Sequence, residues 1–190
     1  MLTLSIVVPL IGSVFLMLMR GLDERAARIA SLSVAAVPFV LLLLVWIRFD
    51  SGAAAAQFQS VEEVSLALMS ALLFLGALAW PLENRERVRQ YYAWFLFLEG
   101  VSLGLFLVLD LLIFYVFFDL SLVGMFFLIG RWGHGEAQHA ALKFFIYTLA
   151  GSLAILLAII ALVLVTDPLT FDMRQLIADQ PVQGMDARAG

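Results

Sequence analysis

Residues 111–130 read LLIFYVFFDLSLVGMFFLIG. The run is long enough to cross the apolar core of a bilayer. Its one charged residue, Asp119, falls near the middle. Lipid does not hydrate a carboxylate, and an aspartate at the centre of a spanning helix costs about 2.5–3.5 kcal/mol on an insertion scale. A chain keeps such a residue when protons or ions pass beside it, or when a partner charge holds it.

The rest of the chain has the same character. Its 190 residues are 64% hydrophobic and 14% charged, against roughly 45–50% apolar and about 25% charged in soluble domains. The sequence predicts an all-α, polytopic transmembrane helix bundle with spans at about 2–19, 29–48, 64–82, 91–108, 111–130 and 140–165, followed by a polar tail, 166–190. The first positive charge, Arg20, follows the first apolar run. A cleaved signal peptide has the reverse order, so residues 2–19 are read as a retained span. There is no cysteine, which excludes disulfides and Cys-ligated iron–sulfur clusters. His134 and His139 are too few to suggest a metal site. No cofactor is expected in this chain. The net charge of −4 lies in the loops and tail and gives no indication of nucleic acid.

Charge also predicts orientation. The first connector, RGLDERAAR, holds Arg20, Arg25 and Arg28; the third, ENRERVRQ, holds Arg85, Arg87 and Arg89; the fifth, RWGHGEAQH, holds Arg131, with Lys143 just beyond. The second carries Asp50, Glu62 and Glu63 with no basic residue after Arg48. By the positive-inside rule the odd connectors face the cytoplasm. Both termini then lie outside, as an even number of spans requires. Residues 51–60 (SGAAAAQFQS) read as loop, FDMRQLIA in the tail as a short surface helix, and Asp110 as the cap of the helix after a tight turn. Gly100-x-x-x-Gly104 is a close-packing motif of membrane helices.

Spans four and five are joined by almost no loop and should pack antiparallel. Counting 1.5 Å per residue from the cytoplasmic side places Glu99 about 12 Å deep and Asp119 about 16 Å deep. Ser102 and Ser121 offer hydroxyls nearby in sequence. Two acids at matched depth are candidates for reversible protonation, since desolvation and a neighbouring like charge both favour the neutral acid. The plainer alternative is a pair of acids permanently protonated or hydrogen-bonded within the bundle. Lys143, the sole lysine, is either a side chain snorkelling to the interface or a relay group of easily shifted proton affinity. Tyr147, one turn on, shares its face.

FYVFFDLSLVGMFFLIGRWGH (114–134) and ALKFFIYTLAGSLAILLAIIALV (141–163) resemble the amino-terminal part of subunit M of proton-translocating NADH–quinone oxidoreductase, respiratory complex I, a family similar to the Mrp-type antiporter subunits. The resemblance implies an antiporter-like helical fold in an inner membrane, proton translocation, and other membrane subunits as partners. NADH and quinone would be handled only through those subunits. It also implies that Asp119 occupies the position of a buried glutamate, that Lys143 matches a family lysine acting as a lateral relay, and that Glu99 is a neighbouring acid. Three features depart from the family pattern. Asp119 is one methylene shorter than glutamate, Gly124 stands where proline is common, and the second connector is short. Family members also carry many more spans. The chain is therefore expected to be a fragment, half of a split protein or a degenerate relative. Alternatives to a complex I subunit are an Mrp antiporter or membrane hydrogenase subunit, and a truncated membrane protein that transports nothing.

Overall fold

Among the described residues, six long helices form where the apolar runs lie, because a backbone in hydrocarbon must satisfy its own hydrogen bonds. A computed structural model describes residues 2–19, 21, 23–48, 61–80, 87–166 and 169–179. The helices are α1 (Leu2–Leu18), α2 (Glu24–Ile47), α3 (Val61–Ala79), α4 (Val88–Leu107), α5 (Leu111–Trp132), α6 (Ala137–Leu164) and the short α7 (Met173–Asp179). Each of α1–α6 overlaps one of the expected spans. The loop reading of 51–60 and the tail beyond residue 179 lie outside the described residues.

Among the described residues, four helices, α2, α3, α5 and α6, are long and apolar enough to cross a membrane, and α1 is a shorter apolar helix. The chain is thus an all-helical, multi-pass membrane protein. The α4 helix is not among the four, and its position gives the reason. It packs against α1, α2, α3 and α5, and eleven of its 20 residues are buried. A helix enclosed by protein has little surface to match to lipid, so it tolerates Arg89, Gln90 and Glu99. By contrast, α5 buries only Leu122 and Gly124.

Two apolar clusters hold α1–α4 together. One joins Leu16, Ala27, Ala35 and Leu78 to Val88, Tyr92 and Leu96 of α4. The other joins Leu42, Ala67 and Ala71 to Leu103 and Leu107, with Leu2 and Ile6 packed on it. The first therefore sits at the end of the bundle holding connectors one and three, and the second at the opposite end. At the first end, the Arg28 guanidinium donates to the Ala79 carbonyl, filling an acceptor that the end of α3 leaves unpaired. Tyr91 of α4 meets Trp132 of α5 edge-on at 5.5 Å, which brings connector five to that end too.

At the other end, Asp110 caps α5 by accepting from the amides of Leu112 and Ile113. The segment after α6 folds back onto this turn. The Leu111 amide donates to the Phe171 carbonyl and the Met173 amide to the Leu109 carbonyl, so Asp110 and Asp172 form an isolated bridge. The expected surface helix is α7.

Candidate functional site: an acid between two helices

Glycine fixes how α4, α5 and α1 approach. A Cβ on Gly104 would stand 2.6 Å from the Phe117 ring, and one on Gly124 would stand 2.6 Å from Leu98 Cδ2. A Cβ on Gly100 would stand 2.7 Å from Leu10 Cγ of α1. The two glycines of the Gly100/Gly104 motif therefore admit different neighbours, α1 and α5.

These contacts set the register. Gly104 faces Phe117, and Phe97 and Leu98 face Gly124. Glu99 then sits level with residue 122, three residues from Asp119, or about 4.5 Å along the axis. The expected match in depth holds. The directions do not match. At about 100° per residue, Glu99 is turned about 100° from Leu98, 140° from Gly104 and 160° from Phe97, the three residues that meet α5. It lies on the face of Leu96 and Leu103, which pack into the two clusters shared with α2 and α3. Glu99 is wholly buried there, and neither carboxylate oxygen has a hydrogen-bond partner among the described residues.

Asp119 is turned the other way. It stands about 160° from Phe117 and 140° from Gly124, the residues that meet α4, but only about 20° from Phe126 and Gly130. Those two meet α6: the Phe126 and Phe145 rings lie 5.4 Å apart, and a Cβ on Gly130 would stand 3.4 Å from Ala141 Cβ. The same pairings carried along the helices place Asp119 level with Ser152. Asp119 is partly buried, and its Oδ1 is buried without a partner among the described residues. Tyr115 stands one turn before Asp119 on the same face of α5. Ser152 is buried and donates to its own helix at the Leu149 carbonyl.

Sequence proximity pointed to other hydroxyls. Ser121 donates to the Phe118 carbonyl and lies about 160° from Asp119 around the helix. Tyr115 and Ser152 were missed. Tyr115 stood one turn from Asp119 and was legible as an i, i+4 pair, whereas Ser152 required the α5–α6 register.

Lys143 and Tyr147 share a face, as their spacing predicts, and both are exposed. Lys143 is turned about 160° from Ala141 and from Phe145, so it points away from α5. It also lies nine residues, about 13 Å, along α6 from the level of Asp119. The structure does not bring Lys143 to either acid. At the connector-five end, the α5–α6 seam opens into a groove of about 440 Å³ whose lining includes Phe126, Gly130, Arg131 and Gln138. Among the described residues, no three His, Cys, Asp or Glu side chains come together as a metal site.

Comparison with known proteins places this seam in a family context. Residues 108–186 match a family model described as NADH:quinone oxidoreductase/Mrp antiporter, transmembrane. The chain is 34% identical over 179 residues to NADH-ubiquinone oxidoreductase chain 4 of Chondrus crispus, covering 84% of this chain and 36% of that protein. It is 35% identical over 156 residues to NADH-quinone oxidoreductase subunit M of Rhodobacter capsulatus, covering 73% and 30%. It is also 35% identical over 161 residues to F(420)H(2) dehydrogenase subunit M of Methanosarcina mazei, covering 73% and 32%. The matches thus span about a third of the length of these relatives.

Proposed function

From the premise that this chain belongs to the NADH:quinone oxidoreductase/Mrp antiporter family of membrane subunits, we propose that it is a proton-translocating subunit of a complex I type assembly. In this reading Asp119 takes up and releases the proton. The observation that carries it is the setting of that carboxylate. It lies in the α5–α6 seam inside the family-matched segment, one turn from Tyr115, with one oxygen buried and unpaired among the described residues. An ionisable group inside a membrane that faces a neighbouring helix marks an ion path by default. The groove at the connector-five end of the seam supplies an approach for water.

Glu99 is a second protonatable group on the far side of α4, and Lys143 is a relay directed toward a neighbouring helix. The chain contributes no redox centre. NADH and quinone chemistry belongs to other subunits, and its partners are the other membrane subunits and the bilayer. It resides in the inner membrane with both termini on the outer side. The test is NADH-driven acidification of inverted membrane vesicles containing the assembled complex. Asp119→Asn should abolish acidification, and Asp119→Glu should retain it. Unimpaired acidification by Asp119→Asn would remove the assigned role. Genes adjoining this one, encoding dehydrogenase, antiporter or hydrogenase subunits, would identify the assembly.

A further inference from the structure

The mouth of the α5–α6 seam is amphipathic. Its groove of about 440 Å³ has Arg131 and Gln138 on a polar lip and Phe126, Phe127 and Leu142 on an apolar wall. Arg131 is the one charged side chain among the described residues that line it. It stands in the last turn of α5, 5.9 Å from the centre of the Trp132 ring, and forms no ion pair among the described residues.

The apolar wall continues along the helices. Phe127 stands about 60° from Gly124, which meets α4, and about 60° on the other side from Gly130, which meets α6. Trp94 of α4 stacks on its ring at 4.5 Å. Phe127 is thus the floor of a trench that follows α5 between its two neighbours. Leu120 and Val116 share its direction to within about 20°, and all three are exposed. On the α6 side, Leu142 and Leu153 point the same way as each other to within about 20° and are exposed too. From Arg131 to Val116 the trench runs about 22 Å, longer than one leaflet's half of a roughly 30 Å hydrocarbon core.

We propose that this trench binds one anionic phospholipid, with the Arg131 guanidinium on its phosphate, Gln138 donating at the lip, and an acyl chain laid over Phe127, Leu120 and Val116. Charge and shape both select that occupant. The guanidinium fork matches two phosphate oxygens at once, and no carboxylate lines the groove to compete for it. Glu136 and His139 line the neighbouring groove on the loop side. A zwitterionic head group would bring its own cation against Arg131, whereas an anionic one does not. Trp132 beside Arg131 sets this level at the membrane–water boundary, where head groups lie. A head group there shares the mouth of the seam with water. The inference is independent of any role for Asp119.

The test is tryptophan quenching by lipids brominated on their acyl chains, on the full 190-residue chain in bilayers mixing phosphatidylglycerol with phosphatidylcholine. Trp46→Phe, Trp80→Phe and Trp132→Phe leave Trp94 as the reporter in the trench. Brominated phosphatidylglycerol should bind there about tenfold more tightly than brominated phosphatidylcholine, the worth of a hydrogen-bonded charge contact. Arg131→Gln should erase that preference. Arg131→Lys keeps the charge without the fork and should give an intermediate preference; it carries the test if Arg131→Gln fails to assemble. Arg25→Gln removes a charge from the same end of the bundle, away from the groove, and should change nothing. Equal quenching by the two lipids overturns the proposal. A preference that survives Arg131→Gln, or that Arg25→Gln removes as fully, also overturns it, the latter as diffuse surface attraction. Relief of quenching by excess glycerol phosphate would assign the groove to a free phosphate and overturn the lipid.

Discussion

Glu99 and Asp119 stand about one helical turn apart in height on adjacent helices and face opposite sides of the α4–α5 pair. Gly104 packs on Phe117 and Gly124 on Leu98, so the surface between α4 and α5 is apolar and closely fitted. Neither acid enters it. Glu99 belongs to the four-helix core of α1–α4, and Asp119 to the α5–α6 seam. The two protonatable groups are thus separated by α4 and α5 themselves, and proton exchange between them has no direct contact to use.

Glu99 has both oxygens buried and unpaired. Replacing it by an apolar residue of similar volume removes that desolvation cost. Glu99→Met should stabilise the solubilised chain by about 1–3 kcal/mol, read as a rise in thermal midpoint. If Glu99 also carries protons, vesicle acidification falls in the same variant. Gain of stability with loss of pumping separates a functional acid from a structural one, and a fall in midpoint contradicts the unpaired burial.

Gly104→Ala should destabilise by about 1–3 kcal/mol. The added Cβ meets three atoms of the Phe117 ring at 2.6–2.7 Å, and a ring pinned between helices has no free end to yield. Gly151→Ala is the control. Nothing lies within 4 Å of its Cβ position, and removing a helical glycine gains about 0.5–1 kcal/mol. Thermal unfolding of both variants should move in opposite directions.

Asp110→Ala should cost about 1 kcal/mol through loss of the cap on α5. Because the same turn carries the bridge to Asp172, amide exchange should rise at both Leu112 and Met173. A rise confined to α5 would show that the returning segment docks independently.

Docking of α7 should depend on acid. The Arg174 amide, and then its guanidinium, hold the Asp172 carboxyl below the usual carboxylate range. An acid with a lower pKa folded than unfolded contributes stability above its unfolded value and loses it as the pH falls through the folded one. Protection of the α7 amides should therefore be flat from neutral pH down to about pH 4 and decline below it. Asp172→Ala should show low protection throughout.

Lys143→Met should change thermal stability by less than about 0.5 kcal/mol, as expected of an exposed side chain without a hydrogen bond or ion pair among the described residues. A relay role predicts that the same substitution lowers vesicle acidification. Unchanged acidification would leave the snorkelling alternative for Lys143.

Much of the scaffold was legible from local pattern. Apolar length marked α2, α3, α5 and α6, since a lipid-spanning segment has to be long and self-bonded wherever it lies. The carboxylate of Asp110 before an apolar run announced a cap, because capping needs only residues two and three positions away. FDMRQLIA announced α7. The depths of Glu99 and Asp119 followed from counting along antiparallel neighbours. The site itself was only half legible. Asp119 stood out as a charge within hydrocarbon, but Ser121 was taken for its neighbour on sequence distance, although two residues along a helix turn a side chain most of the way round.

The sequence by itself determined what each segment is: its length, its polarity, the end at which it begins, and which residues are too costly to leave in lipid. Those properties depend on a residue and its immediate neighbours. Only the tertiary structure decided which way the costly residues face. That Glu99 turns into α1–α4 and Asp119 away from α4 follows from how Gly104 and Gly124 let α4 and α5 approach, and that Asp119 faces the Ser152 side of α6 while Lys143 turns outward follows from the Gly130–Ala141 and Phe126–Phe145 contacts. A helix's rotation about its axis is fixed by the packing of its partner, and no segment encodes it alone.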